Sequence, residues 1–244
     1  MEKKIVIMGA TSGLGLNLAK MFVAAGWKVG ACGRNESALA RLKAQEPSRI
    51  VTAAIDITAG DAPERLEKLI AELGGMDIYF HGSGILRESD YEATIATNVG
   101  GFTRMINAAY DYFSLSRQPA RIVAISSIAG TRGLAELACY SATKAYDATF
   151  LEAMRQRAHK ERLPLRIVDI RPGWTRTPLL DGDKHYLFEM DEETVCCGIF
   201  RATLRSRRVA IIGLRWQLLC ALQHFVPAWL WERIHLPLWR DGRN

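Results

Sequence analysis

The sequence predicts a single α/β domain in which a doubly wound parallel sheet carries helices on both faces. Short apolar runs alternate along the chain with segments whose apolar residues recur at helical spacing, which is the pattern of repeated strand–helix units. No internal repeat or linker divides the 244 residues. One domain is therefore expected.

The composition is that of an ordinary globular chain, with 49% hydrophobic and 24% charged residues. The first strand-like run, Lys4 to Met8, begins so close to Met1 that we expect no signal peptide and a cytoplasmic protein. The five cysteines form no Cys-x-x-Cys pair and accompany no histidine ladder. Neither a disulfide framework nor a metal site is expected.

The positive charge is concentrated at the C-terminal end. Residues 201–244 hold eight arginines and no lysine against Glu232 and Asp241, so this segment carries the whole formal charge of +6. A partner attracted by positive charge would be sought there. No RNA-binding or DNA-binding pattern accompanies the arginines, and no nucleic-acid partner is expected.

The first predicted strand, Lys4 to Met8, runs into a glycine turn and then a helix. The turn reads Gly9-Ala10-Thr11-Ser12-Gly13-Leu14-Gly15. Glycine lets the backbone adopt positive φ and approach a ligand closely, while the amides at a helix N-terminus bind phosphate. The spacing Gly-x-x-x-Gly-x-Gly differs from the commoner dinucleotide fingerprint. It predicts a dinucleotide phosphate site, with a plain tight turn as the alternative.

The ends of the next two strands predict how an adenosine group would bind. The second strand, Trp27 to Cys32, is followed by Gly33 and Arg34, with no acid to bind a ribose 2′-hydroxyl. Arg34 could pair with a 2′-phosphate, which favours NADP; the alternative is a solvated surface arginine. The third strand, Ile50 to Ile55, ends at Asp56, which either contacts the adenine edge or caps a turn.

Three further strands are predicted, each followed by polar or glycine-rich residues. A helix over Ala62 to Leu73 precedes the fourth strand, and a long helix after it carries Asn98. The strands are Met76 to Phe80, Arg121 to Ile125 and Leu165 to Ile170, and they lead into His81-Gly82-Ser83-Gly84, Ser126-Ser127, and Arg171-Pro172-Gly173-Trp174-Thr175-Arg176-Thr177. These segments should meet at the carboxyl edge of the sheet.

The chemistry is predicted at Tyr140 and Lys144, inside a helix expected from Leu137 to Lys160. Their spacing places both side chains on one face, one turn apart. A neighbouring ammonium favours the phenolate and would bring the tyrosine pKa from about 10 toward neutral pH, where a proton donor and acceptor is most useful. The strand before Ser127 would deliver that hydroxyl to the same edge.

These residues together resemble the short-chain dehydrogenase/reductase superfamily over about residues 4 to 212, which implies a Rossmann-type fold. The resemblance rests on Gly9, Gly13, Gly15, Asp56, Asn98, Ser127, Tyr140, Lys144, Pro172, Gly173, Thr175 and Thr177, which occur in the family's order. It implies that Tyr140 is the general acid/base and that Ser127 hydrogen-bonds the substrate oxygen. Lys144 would hold the nicotinamide ribose and lower the tyrosine pKa, and Asn98 would support a water-linked proton relay.

The resemblance also implies a set of cofactor-binding residues. They are Gly9, Thr11, Ser12, Gly13, Leu14, Gly15, Arg34, Asp56, Ile57, Gly82, Asn98, Tyr140, Lys144, Pro172, Gly173, Thr175 and Thr177.

Three features depart from the family pattern. His81-Gly82-Ser83-Gly84 stands where Asn-Asn-Ala-Gly is usual, so the contacts of the first asparagine must be replaced, with the imidazole as one candidate. Ser12 is not the basic residue of many NADP-preferring members, so the NADP expectation depends on Arg34. After Gly213 the chain lacks the glycine-rich ending of the tetrameric members. A homodimer or another homo-oligomer is expected, and the family's tetramer is not assumed.

The sequence therefore predicts an NADP(H)-dependent, metal-free oxidoreductase that transfers a hydride between the nicotinamide and a carbonyl or secondary alcohol. The alternative is a non-catalytic NADP-binding regulatory or scaffold protein of the same fold. Residues 1–213 would form the catalytic domain, with a lid at about 174–193. The lid's apolar residues favour a hydrophobic or lipid-like substrate, with ordinary packing as an equally good interpretation.

The last segment, 214–244, is predicted to be an amphipathic extension rich in arginine and tryptophan. In helical projection one face holds Leu214, Leu218, Leu219, Leu222, Phe225 and Val226, and the other holds Gln217, Gln223 and His224. Polar residues and Pro227 interrupt the stretch, so a membrane-spanning helix is not expected. The segment would bind an anionic membrane surface, or pack over the substrate cleft or a second subunit.

Overall fold

The computed structural model describes residues 2–180, 183–205, 207–234 and 237–241. Positions 181 and 182 of the predicted lid lie outside the described residues, as do residues 235–236 and 242–244 of the predicted extension. The strands are β1 (Lys4–Met8), β2 (Lys28–Gly33), β3 (Ile50–Ala54), β4 (Ile78–His81), β5 (Ala120–Ile125), β6 (Leu165–Pro172), β7 (Lys184–Tyr186), β8 (Val209–Ile212) and β9 (Trp239–Asp241). The α-helices are α1 (Gly13–Ala24), α2 (Glu36–Gln45), α3 (Ala62–Leu73), α4 (Tyr91–Ile95), α5 (Phe102–Ser116), α6 (Ala138–Lys160), α7 (Glu192–Arg205), α8 (Leu214–Gln223) and α9 (Ala228–Trp231).

Seven parallel strands form the predicted sheet, in the order β3-β2-β1-β4-β5-β6-β8. Residues Ile5 to Met8 of β1 are completely buried, as expected for a central strand covered on both faces. The strand order changes direction between β1 and β4, where Met8 pairs with His81. Ligands of doubly wound sheets bind beyond the carboxyl ends of the strands at this point. The predicted fold class is confirmed.

Helices cover both faces of the sheet and create two hydrophobic layers. One layer contains Leu66, Phe102 and Leu151 from α3, α5 and α6. The other contains Phe22 and Ile199 from α1 and α7, together with residues of α2. Burying these side chains removes apolar surface from water and holds the strand ends in fixed positions around the site.

Two features are not predicted by the sequence pattern. The strand β8 extends the sheet beside β6, pairing Val209 with Asp169. The strands β7 and β9 form a separate antiparallel pair in which Tyr186 lies opposite Trp239. These strands have only three or four residues each, too few for alternating hydrophobicity to stand out from irregular chain. The small sheet joins the predicted lid to the C-terminal segment.

The helix α8 packs through a different side from the leucine face of the helical projection. Trp216 and Cys220 are buried, whereas Leu214, Leu218 and Leu222 are 74%, 62% and 62% exposed. The helix contacts the domain through its tryptophan side and leaves leucines at the surface. Within the described ranges, no helix is long and apolar enough to cross a membrane.

Candidate active site

The glycine turn between β1 and α1 brings the backbone unusually close to itself. Gly9 and Gly13 have φ of 91° and 52°, which is the region that favours glycine. A Cβ atom on Gly15 would lie 2.1 Å from the Gly9 carbonyl oxygen, so a side chain there would force the turn apart. The helix α1 begins at Gly13, and the Ser12 side chain caps none of its amides. The turn therefore presents a helix N-terminus toward the space above the sheet.

A cleft of about 420 Å³, hereafter the polar cleft, opens above this turn. Of the predicted cofactor-binding residues, those that line it are Gly9, Thr11, Ser12, Gly13, Leu14, Gly15, Arg34, Asp56, Ile57, Gly82, Tyr140, Lys144 and Thr177. Pro172, Gly173 and Thr175 line a neighbouring pocket instead. Asn98 contacts Ile85, which is part of the cleft wall. The structure thus gathers residues from seven separate segments of the chain around two adjoining cavities.

Arg34 and Asp56 line the polar cleft beyond the ends of β2 and β3. Arg34 follows β2 directly and is exposed. Asp56 Oδ1 accepts hydrogen bonds from the Thr58 backbone amide at 2.9 Å and from the Thr58 hydroxyl at 2.8 Å. Those bonds, with a smaller contribution from Arg34, lower the pKa of Asp56. Asp56 therefore caps a turn, as one of the two sequence interpretations predicts, and it also lines the polar cleft. Its contact with an adenine edge stays a prediction.

His81 ends β4 in a fully buried position. The Tyr79 hydroxyl and His81 Nδ1 are 3.0 Å apart, and the Phe102 ring meets the imidazole edge-on at 5.1 Å between centroids. Burial, with a smaller contribution from Lys144, lowers the pKa of His81 from 6.5 to about 3. The imidazole is therefore neutral near pH 7.

The first turn of α6 carries Tyr140 and is held by Glu88 from the loop after β4. Glu88 Oε1 accepts from the Tyr140 amide at 2.7 Å, and Oε2 accepts from the Cys139 amide at 3.1 Å. A carboxylate at a helix N-terminus satisfies free amides and complements the helix dipole. Glu88 precedes Tyr140 by 52 residues, so no local motif reveals this role in the sequence.

The Tyr140 side chain is 7% exposed, and its environment differs from the sequence expectation. Burial, which is the largest effect, and the charge of Asp147 raise the pKa of the phenol. The charge of Lys144 and a hydrogen bond with Ser127 lower it, and the net direction is upward. The expected shift toward neutral pH is therefore wrong in direction. The spacing of Tyr140 and Lys144 reveals the ammonium, but it reveals neither the burial nor the second charge from Asp147.

Lys144 lies 4% exposed beside the tyrosine, with its Nζ atom 5.7 Å from the centroid of the Tyr140 ring. The ammonium donates to Asp147 Oδ2 at 2.9 Å and to the Ile125 carbonyl at 3.3 Å. Sequence reasoning missed Asp147. Its signal was an acidic residue three positions after Lys144, on the face of the helix that must be buried.

Asn98 lies in a π-helical segment, Ala96–Gly101, between α4 and α5. Its Oδ1 atom accepts from the Ile85 amide at 2.9 Å, and its Nδ2 atom donates to the Ile85 carbonyl at 2.8 Å and to Thr143 Oγ1 at 3.2 Å. Single π turns within helices occur frequently at functional sites. Asn98 therefore connects the wall of the polar cleft to α6, one residue before Lys144.

A second cavity of about 200 Å³, hereafter the apolar pocket, adjoins the polar cleft. Ser127 and the segment after β6 line one side of it, and Trp216, Leu219 and Gln223 of α8 line another. A Cβ atom on Gly173 would lie 2.0 Å from Trp216 Nε1, so only glycine lets the indole approach this closely. The C-terminal segment thus contributes directly to the pocket beside Ser127.

Tyr140 lines both cavities. Ser127 lies on the side of the apolar pocket, and Lys144 lies on the side of the polar cleft. A phenol hydroxyl therefore stands between the two cavities, with a second hydroxyl on one side and a cation on the other. Within the described part of the chain, no cluster of three or more side chains could hold a metal ion.

This chain belongs to the short-chain dehydrogenase family, whose model matches residues 3–185. An uncharacterized oxidoreductase of Myxococcus xanthus is 33% identical over 186 residues, which cover 71% of this chain and 72% of the relative. An uncharacterized oxidoreductase of Mycobacterium tuberculosis is 29% identical over 248 positions, covering 95% and 97%. The resemblance seen in the sequence is confirmed.

Solved structures agree in fold. A short-chain dehydrogenase/reductase from Burkholderia phymatum, in complex with NAD, superimposes with a TM-score of 0.81 at 17% identity, covering 92% of this chain and 93% of that one. A short-chain dehydrogenase from Sphingobium yanoikuyae, in complex with NADPH, gives a TM-score of 0.76 at 21% identity and covers 96% of each chain.

Proposed function

We propose that this protein is an NADP(H)-dependent oxidoreductase that interconverts a carbonyl group and a secondary alcohol on a hydrophobic substrate. The observation that carries the proposal is the position of Tyr140, which lines the polar cleft and the apolar pocket at once. A group that exchanges a proton with substrate while a cofactor reacts from the other side must stand at such a junction.

The polar cleft fits a nicotinamide dinucleotide. The close backbone approach at Gly15 and the start of α1 at Gly13 suit a pyrophosphate, because free amides and the helix dipole favour an anion. Asp56 and Ile57 would contact the adenosine end. When bound, the nicotinamide would supply or accept the hydride.

Arg34 supports NADP over NAD. It lines the cleft immediately after β2, where its guanidinium could form charge-assisted hydrogen bonds with a 2′-phosphate. The solved relatives include one complex with NAD and one with NADPH, so the fold accommodates both cofactors. In this proposal the Arg34 side chain, which follows β2, supplies the preference for NADP.

Two side chains would act on the substrate oxygen, and Lys144 would act on the cofactor and on Tyr140. In carbonyl reduction, negative charge develops on that oxygen, and the hydroxyls of Ser127 and Tyr140 would stabilise it by hydrogen bonding. Tyr140 would then give its proton to the oxygen. The upward shift of its pKa keeps the phenol protonated near neutral pH, which suits the reductive direction. Lys144 would contact the nicotinamide ribose and limit that upward shift.

Asn98 would support proton return to Tyr140. Its side chain is fixed between Ile85 and Thr143, so water held near it would have a defined position relative to α6. Pro172, Gly173 and Thr175 line the apolar pocket close to where the nicotinamide would meet the substrate.

The apolar pocket supports a hydrophobic substrate. Leu86, Ile128, Trp174 and Leu219 are among its lining residues, and Ser127 and Tyr140 supply hydroxyl groups beside them. A binding site of this kind buries an apolar body and fixes one polar group.

The exposed side of α8 supports contact with a lipid surface. Leu214, Leu218 and Leu222 of α8 and Phe225, two residues beyond it, are hereafter the outer ridge, and all four are at least 62% exposed. Other residues of α8 line the apolar pocket. Arg215 lies beside Leu214 and is exposed. Basic residues next to exposed apolar side chains favour an anionic membrane surface. A substrate from the bilayer would then have a short path to the pocket.

Sedimentation with vesicles tests this contact. The protein should bind anionic vesicles more than neutral ones, and Leu218→Glu/Leu222→Glu should abolish binding. The matched control is Leu115→Glu, at an 86% exposed position on α5, which should bind normally. If the protein ignores vesicles and the double variant instead lowers its mass in solution, the outer ridge is a contact between two copies of the chain.

The oxidoreductase activity is tested by following NADPH absorbance with a panel of apolar aldehydes and ketones. Turnover of at least one, with NADPH as the better cofactor, is the expected result. Tight NADPH binding without turnover of any compound would instead favour a non-catalytic dinucleotide-binding protein.

A further inference from the structure

Two ion pairs lie between α6 and β6, and Arg155 of α6 also interacts electrostatically with Asp169. Lys144 and Asp147 project from the helix, and Asp169 and Arg171 project from the strand. Asp147 and Asp169 are completely buried. Arg171 Nη2 lies 2.7 Å from Asp169 Oδ2, which forms a second ion pair beside that of Lys144 and Asp147.

The second ion pair is already satisfied by its own neighbours. Asp169 accepts from Arg171 Nε at 2.8 Å and from the Ser126 hydroxyl. Asp147 is different, because its Oδ1 atom has no hydrogen-bond partner within the described part of the chain. Lys144 is therefore the partner that compensates the buried charge of Asp147.

Lys144 in turn needs the negative charge of Asp147. An ammonium with 5% exposure of its side chain has lost most of its hydration, which favours the neutral amine. The carbonyl of Ile125, at 3.3 Å, accepts one hydrogen bond but carries no net charge. Asp147, at 2.9 Å, supplies the compensating negative charge.

We infer that Asp147 is a positioning residue that keeps the Lys144 ammonium protonated and directed between Tyr140 and the polar cleft. The inference rests on the proposed function for the role of Lys144 toward the cofactor. Asp147 touches neither cavity, so it acts only through the lysine.

The other titratable groups around Lys144 and Asp147 do not change charge near pH 7. Tyr140 is a neutral phenol and His81, on β4, a neutral imidazole, since both pKa values are shifted away from neutrality. Asp169 and Arg171, on β6, compensate each other. Burial lowers the pKa of Lys144, but Asp147, Tyr140 and Asp169 together raise it above its usual value.

The test measures the NADPH dissociation constant between about pH 7 and pH 9.5 for wild type, Asp147→Asn and Asp147→Glu. Near pH 7 we expect the lysine to be protonated in all three proteins, so their affinities should agree within about threefold. As the pH rises, Asp147→Asn should lose affinity at least one pH unit earlier than wild type. Near pH 9 the difference should reach about tenfold, the size of a lost charge-assisted hydrogen bond. Asp147→Glu should restore most of the wild-type profile.

The outcomes separate this inference from the proposed function. Parallel pH profiles for wild type and Asp147→Asn would overturn the role of Asp147 while leaving NADPH binding intact. Failure of the wild type to bind NADPH would overturn the proposed function. Asp111→Asn, at an exposed position on α5, is the control for loss of a carboxylate elsewhere.

Unfolding in urea provides a test that needs no ligand. Asp147→Asn leaves a buried ammonium without its carboxylate, so the double variant Lys144→Met/Asp147→Asn should be more stable than Asp147→Asn alone. If the double variant is less stable than Asp147→Asn, the lysine does not depend on Asp147 and the inference is wrong.

Discussion

The polar cleft and the apolar pocket share Tyr140 but are built in different ways. The cleft is formed mainly by the turns that directly follow β1 to β4, including the glycine turn and Asp56. The apolar pocket combines the ends of β5 and β6 with α8, which lies more than 70 residues after Tyr140. The first cavity is lined mainly by loops at the sheet edge, and the second is lined by segments that lie far apart in the chain. We therefore expect substitutions in the two regions to affect cofactor and substrate separately.

A substitution of Tyr140, which lines both cavities, should give the largest effect. Tyr140→Phe removes only the ionisable oxygen, so turnover should fall by about a thousandfold, within the range usual for loss of general acid catalysis. NADPH affinity should change by less than about threefold. The measurement is steady-state kinetics on a confirmed substrate together with a binding titration, and near wild-type turnover would remove Tyr140 from the mechanism.

Trp216→Ala tests the contribution of α8 to the apolar pocket. Loss of a buried indole should lower the free energy of unfolding by about 3 kcal/mol and raise KM for apolar substrates. NADPH affinity should stay within about twofold, since Trp216 does not line the polar cleft. Trp229→Ala is the control, because Trp229 is 61% exposed and its loss should cost less than about 0.5 kcal/mol. An equal effect of both variants in urea unfolding would contradict the described packing of α8.

Arg34→Ala tests the cofactor preference of the polar cleft. Wild type should bind NADPH more tightly than NADH by about tenfold to a hundredfold, the range for a charge-assisted contact. The variant should bind both cofactors alike, while KM for the carbonyl substrate stays unchanged. Equal wild-type affinities for NADPH and NADH in a titration would show that Arg34 confers no preference.

The prediction for His81 has the smallest effect near pH 7, because it appears only in acid. With a folded-state pKa of about 3 against 6.5, His81 stays neutral while the unfolded chain takes up a proton below pH 6.5. Stability is therefore lost as the pH falls from about 6.5 toward 3, by up to about 1.4 kcal/mol per pH unit from this group. His81→Asn should lose less stability over that range. Urea unfolding at several pH values checks this, and identical pH dependence in both proteins would place the titration elsewhere.

Features that depend on residues close together in the chain could be predicted from the sequence, whereas contacts between distant residues could not. The glycine turn, the end of β2 and the pair Tyr140 and Lys144 are local patterns, so the doubly wound fold and most of the cleft lining followed from them. Trp216 against Gly173 and Glu88 against α6 join residues far apart in the chain. No local spacing encodes such contacts. The net direction of the tyrosine pKa was missed for the same reason, because burial is a property of the assembled core.

Transfer of deuterium from cofactor to substrate tests directly whether a hydride passes from NADPH to a carbonyl carbon beside Tyr140. NADPH labelled at either of the two C4 hydrogen positions is incubated with the protein and an apolar ketone, and the product alcohol is analysed by mass spectrometry. Tyr140 lines both cavities, and a bound nicotinamide would present only one face to a substrate held beside it. One of the two labelled cofactors should therefore place deuterium on the carbinol carbon, and the other should not. Alcohol that contains no deuterium from either labelled cofactor would contradict hydride transfer at this junction.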